Sequence, residues 1–154
     1  MGIVATADDR RAVLKSRAGE PWFAEASAAF ERIAGGEGAE RDWEALAPAV
    51  YGRWDEIAQA HHAAGEKRQN VEAARIFGSE GAYDPEATRR ALAGLGAPVL
   101  AIAGEFDTNS PPPIVAGLAS LFPNTTHLIL PRAGHFPWLD NPAAFTKSIW
   151  DFLR

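Results

Sequence analysis

Residues 97–139 set the narrowest limits on what this chain folds into, because they hold two short apolar runs, at 99–103 and 128–130, each bounded by Gly or Pro. Both runs are too short for helices and rich enough in Val, Ile and Leu to read as strands, buried on both faces. Between them Ser110 offers an N-cap, Pro111, Pro112 and Pro113 suit a first helical turn, and Ile114, Val115, Leu118, Ala119 and Phe122 recur at helical spacing until Pro123 and Asn124. Strand, helix and strand in that order predict a βαβ unit, whose strands are parallel neighbours.

An acid, Asp107, follows the first predicted strand, and a histidine, His135, follows the second. Parallel neighbours carry both side chains to the carboxyl edge of the sheet, where open α/β sheets usually hold their chemistry. A carboxylate there can hold one ring nitrogen of the imidazole and leave the other free as a general base. Taken alone, Asp107 is also explained as a turn residue; the pairing with Gly134-His135 favours the chemical reading.

The residues carrying these features also resemble a family. Residues 98–107, the Leu121-Phe122-Pro123-Asn124 segment, and residues 134–142, which include Gly134, His135, Phe136, Pro137, Trp138, Asp140 and Pro142, resemble the closing segment of α/β-hydrolases, particularly members similar to proline iminopeptidases and related esterases. The resemblance is specific over 97–154 and loose over 1–96. It implies an α/β fold class: the C-terminal part of an α/β-hydrolase, with two parallel strands in a βαβ-α unit (97–154), preceded by an all-helical lid (1–96). By the same resemblance the chain would start after the sixth strand of an eight-stranded sheet. Asp107 matches the acid of the family's triad and His135 its histidine.

No residue matches the family's nucleophile. The serines are Ser16, Ser27, Ser79, Ser110, Ser120 and Ser148, and there is no cysteine. The stretch Gly78-Ser79-Glu80-Gly81 is one residue short of a Gly-x-Ser-x-Gly elbow and follows helix-like sequence, whereas an elbow needs a strand before it.

Upstream, the pattern is helical throughout. Thr6 and Asp9 form a weak capping box for a charged helix over 7–17. Trp22, Phe23, Ala26, Phe30 and Ile33 make an apolar stripe that Gly35 and Gly36 end. A third helix over 40–50 meets Pro48, which should kink or stop it. The longest candidate, 53–77, has a polar middle around Gly65 and reads as one helix or two. Asp84-Pro85 opens another that ends at Gly94, and a final helix over 141–153 is expected to turn Phe145, Ile149, Trp150 and Leu153 inward. Trp138 and Trp150 are expected in the core. Trp22, Trp43 and Trp54 read as helix packing, or as the roof of an apolar pocket.

Composition narrows the function classes. With 154 residues, 47% hydrophobic and 23% charged, the chain has the make-up of one soluble domain. No apolar run approaches a membrane span and the first five residues do not make a signal peptide, so a cytoplasmic location and no membrane partner are expected. A net charge of −5 with scattered signs argues against nucleic acid. The absence of cysteine excludes disulfides, thiol catalysis and cysteine-ligated zinc, and His61, His62, His127 and His135 show no ligand spacing, so neither a metal nor another cofactor is expected. His61 and His62 are adjacent on a helix and make a poor metal pair.

The leading functional reading is therefore a serine-type hydrolase of esters or peptides, with Asp107 and His135 present and the nucleophile absent from the chain, so that little activity is expected from it alone. The alternative is a non-catalytic relative serving as a binding or dimerisation module. A third reading has His135 activate water directly. An open edge on the first strand would expose unpaired backbone groups, so a homodimer or a complementing chain is expected to cover it.

Overall fold

A computed structural model describes residues 4–66 and 70–154. The order of elements is α1 (Ala7–Lys15), α2 (Phe23–Ala34), α3 (Glu40–Leu46), a 3-10 turn (Ala47–Val50), α4 (Glu56–Glu66), α5 (Val71–Phe77), α6 (Pro85–Ala93), β1 (Val99–Gly104), α7 (Pro112–Ala119), β2 (Thr125–Leu130), α8 (Pro137–Asp140) and α9 (Pro142–Phe152). The chain is thus α/β, mostly helical, with one two-stranded parallel sheet among the described residues. None of the described helices is long and apolar enough to cross a membrane.

Local chemistry accounts for most helix ends. The Thr6 hydroxyl accepts the Asp9 N–H at 3.1 Å and the Asp9 carboxylate accepts the Thr6 N–H at 2.9 Å, which closes the expected capping box. Pro48 stops α3 and leaves a tighter 3-10 turn. The 53–77 candidate is two helices: Asp55 accepts the Ala58 N–H near the start of the first, and Asn70 accepts the Ala73 N–H at the start of the second. Residues 67–69 of that candidate lie outside the described residues. Asp84 accepts the N–H groups of Glu86 and Ala87, as its place before Pro85 implied.

Ser110 does not cap α7. The helix begins one residue later than expected, with Pro111 at the N-cap position. The reason is the proline run: with Ser110 as cap, the next three residues would be Pro111, Pro112 and Pro113, none of which has an N–H to donate. α7 also ends at Ala119, ahead of Pro123-Asn124.

β1 and β2 run in register from Val99 opposite Thr125 to Gly104 opposite Leu130. The ladder continues past both strands, with the Glu105 N–H donating to the Leu130 carbonyl at 3.0 Å and the Phe106 N–H to the Ala133 carbonyl at 2.8 Å. This continuation forces very close backbone approach: a Cβ on Gly104 would lie 2.1 Å from the Gly134 carbonyl oxygen, and one on Gly134 would lie 2.3 Å from that of Val50.

The tightest apolar packing is in the helical part, where Leu14, Ala26, Phe30 and Ala49 are buried under Trp22, Phe23 and Leu46. Burial of the strands on both faces is not met. Most of β1 and β2 is half-buried, and Ile129 is 51% exposed. The inward turn of α9 and the core placement of two tryptophans are also corrected: Trp138 is 46%, Trp150 59% and Leu153 72% exposed. Two strands offer too little sheet to cover the faces of the helices that flank them.

One buried ion ties the helical part to the sheet. Arg17, past the end of α1, donates through Nη1 to the Tyr51 carbonyl at 2.6 Å and lies between the Trp22 and Phe106 rings, 4.7 Å from each centroid. Aromatic faces on both sides suit a weakly hydrated guanidinium.

Gly104→Ala should destabilise the chain by about 3 kcal/mol, because the new methyl group meets backbone that has no room to move. Denaturant unfolding measures this against Gly19→Ala, where an added Cβ meets nothing within 4 Å. Equal midpoints for the two variants would contradict the close approach.

Candidate active site

The structure brings Asp107 and His135 together. Asp107 lies in the turn after β1, 5% exposed, and its two carboxylate oxygens have separate tasks. Oδ1 accepts the backbone N–H groups of Asn109 and Ser110, each at 2.8 Å. Oδ2 lies 2.9 Å from Nδ1 of His135. An ionised carboxylate only accepts, so the imidazole donates through Nδ1–H and its Nε2 remains a free base when the ring is neutral.

His135 is held by its backbone as well as its ring. Its N–H donates to the Val50 carbonyl at 2.7 Å, and the Phe136 ring packs edge-on at 5.2 Å. The side chain is 38% exposed. The hydrogen bond it donates to Asp107 raises its pKa above 6.5; partial burial opposes that shift and the carboxylate charge adds to it.

A third loop, residues 50–53, closes the site from the helical side. The Asp140 carboxylate accepts the N–H of Gly52 at 2.9 Å and that of Gly134 at 2.8 Å, stapling this loop to the turn before His135. Arg53 reinforces the joint by donating to the Leu139 carbonyl at 3.0 Å, and the Thr108 hydroxyl donates to the Ala49 carbonyl at 3.1 Å. Arg132, in the left-handed region at φ 56°, donates its N–H to Glu105 at 2.7 Å. Sequence reasoning missed Asp140 as a positioning residue. The signal available was an acid five residues past the histidine, just ahead of Asn141-Pro142.

A cavity of about 360 Å³ is walled by Trp43, Val50, Tyr51, His61, Gly65 and Phe136 among others; neither Asp107 nor His135 lines it, but their near neighbours in the chain, Asn109 and Phe136, do. Trp43 therefore serves as a pocket wall, Trp54 packs on Tyr51 with ring centroids 5.3 Å apart, and Trp22 packs on Arg17. His61 and His62 both border this cavity and have separate partners, Tyr51 at 2.9 Å and Glu44 at 3.6 Å. His127 stands opposite Ala101 in the sheet. Ser79 is exposed after α5 and donates to the Ile76 carbonyl at 2.7 Å, a helix-end contact unrelated to an elbow.

Asp107→Asn should lower the pKa of His135 from its raised value, because the carboxylate that favours the imidazolium is gone. An NMR titration of the ring measures it, and an unchanged pKa would contradict the pairing. Because the folded-state pKa is the higher one, His135 contributes stability that is full below about pH 6.5 and is lost as pH rises through the shifted value. The melting-temperature gap between wild type and His135→Gln should accordingly be widest in mild acid and narrow toward alkaline pH.

No family model matches the chain. Among curated proteins it is 34% identical over 66 residues to a pimeloyl-[acyl-carrier protein] methyl ester esterase of Pectobacterium atrosepticum, and 33% identical over 66 residues to one of the same name from Yersinia enterocolitica. Each match covers 43% of this chain and 26% of the relative, so the chain shares about a quarter of the relatives' length. A solved structure of a thermophilic esterase from Thermogutta terrifontis aligns over 96% of this chain and 49% of its own, with 22% identity and a TM-score of 0.46. The chain is therefore similar, over part of its length, to esterases of the α/β-hydrolase kind.

Proposed function

We propose that this chain supplies the acid and the base of a serine-type ester hydrolase. The observation that carries this is the 2.9 Å contact of Asp107 with Nδ1 of His135, at the carboxyl edge of a parallel strand pair. In this reading His135 Nε2 takes the proton of an attacking serine and returns it to the leaving group, while Asp107 fixes the tautomer and stabilises the imidazolium. Residues 1–96 act as the lid over the site and residues 97–154 as the C-terminal part of the core. The serine comes from sequence beyond these residues or from a complementing chain. The partial identity to methyl ester esterases favours an ester over a peptide as substrate.

The uncovered edge of β1 and the exposed apolar surface of α9 favour a partner against the sheet, either a second copy or a chain bearing further strands. We place the protein in the cytoplasm, with no nucleic acid or membrane partner. A second reading, a non-catalytic binding or dimerisation module, draws on that same open edge.

Loss of the nucleophile from a triad costs on the order of a million-fold in rate, since its members act as a unit. The purified chain should therefore turn over neither p-nitrophenyl acetate nor proline p-nitroanilide above buffer. Turnover abolished by His135→Ala would instead establish direct activation of water. Light scattering after size exclusion should give at least the mass of a dimer; a stable monomer at high concentration would contradict pairing of copies through the open edge.

A further inference from the structure

The cavity that Phe136 and Asn109 border is lined mostly by carbon, with His62, Asn109 and a Tyr51–His61 pair as its polar groups. Trp43 and Leu46 come from α3, Val50 and Tyr51 from the turn after it, Gly65 from α4, and Phe136 from the residue after His135. Tyr51 and His61 are joined by a hydrogen bond of 2.9 Å between the Tyr51 hydroxyl and Nδ1 of His61. Tyr51 is 2% exposed, and burial, with the Asp140 charge adding to it, raises its pKa, so the phenol keeps its proton. In the tautomer where the phenol donates to Nδ1, neutral His61 carries its proton on Nε2, an N–H donor in an aromatic wall. The His61 ring is fixed edge-on by Phe136 at 4.5 Å and by Tyr51 at 5.8 Å. Phe136 also touches the His135 ring, so one aromatic side chain separates the cavity wall from the general base.

We propose that this cavity binds a compact aromatic or branched apolar group bearing one hydrogen-bond acceptor, with His61 Nε2–H as the donor and Tyr51 as the residue that positions it. A volume of about 360 Å³ lies at the small end for ligand pockets, which favours a compact group over a long acyl chain. A donor in a largely apolar cleft rewards a ligand that accepts from it and discriminates against one that does not. In its chemical consequence this rests on the ester-hydrolase reading, where the bound group is the substrate's apolar side. Binding itself does not depend on turnover.

The test uses the chain as it is, titrated with methyl benzoate, toluene and methyl octanoate while NMR follows the ring resonances of His61 and Phe136. Methyl benzoate should shift both saturably and bind more tightly than toluene or methyl octanoate. His61→Phe keeps the ring contacts and removes the donor; it should weaken methyl benzoate about five-fold, the net worth of one neutral hydrogen bond, and leave toluene unchanged. Gly65→Phe should abolish binding of all three without harm to the fold, because a Cβ there meets nothing within 4 Å and a helix tolerates Phe better than Gly. Absent shifts, binding that survives Gly65→Phe, tighter binding of methyl octanoate, or an ester-to-toluene ratio unchanged by His61→Phe would each overturn the proposal. Failure here with the pKa of His135 still raised removes the cavity assignment and leaves the hydrolase reading; binding without a raised pKa does the reverse.

Discussion

Everything at the site depends on how closely three stretches of backbone approach one another at the carboxyl end of the sheet. Gly104 and Gly134 carry no side chain, and their neighbours occupy the space a Cβ would need. That contact lets the ladder run on past both strands, so that the turns holding Asp107 and His135 are hydrogen-bonded to each other before their side chains meet. The histidine is then placed from two directions, by Val50 through its backbone and by Asp107 through its ring. Under the proposed reading, a general base aligned in this way would need little reorganisation to act.

The helical part contributes directly to the site. Its residues 49–53 form one wall of the site, fastened by the Asp140 carboxylate, the Thr108 hydroxyl and the buried Arg17 guanidinium. These are long-range contacts between side chains and backbone, worth most where water is excluded. They also explain why the cavity lies where it does: the turn after α3 delivers Val50 to His135 and Tyr51 to His61 in consecutive residues.

The βαβ unit, its parallel order and the meeting of Asp107 with His135 were legible in the sequence, because each follows from a short-range signal combined with one topological rule. The helix caps at Thr6 and Asp84 were readable for the same local reason. Burial was not. Trp138, Trp150 and Leu153 have the pattern of core residues, but whether such a face is covered depends on what lies opposite, and periodicity within one element cannot supply that. Ser110 misled because a good capping residue was weighed without asking which of the next residues had an N–H to offer. Asp140 and Arg17 escaped because the contacts that tie them to residues 51 and 52 span long stretches of chain, with Asp140 and Gly52 separated by 88 positions.

The central claim is that Asp107 holds neutral His135 with its proton on Nδ1, leaving Nε2 unprotonated and available. Long-range proton–nitrogen correlation on the His135 ring, recorded at a pH above its titration, reads this directly. The account predicts a protonated Nδ1 and a bare Nε2. A proton found on Nε2, with Nδ1 bare and facing the carboxylate, would contradict it.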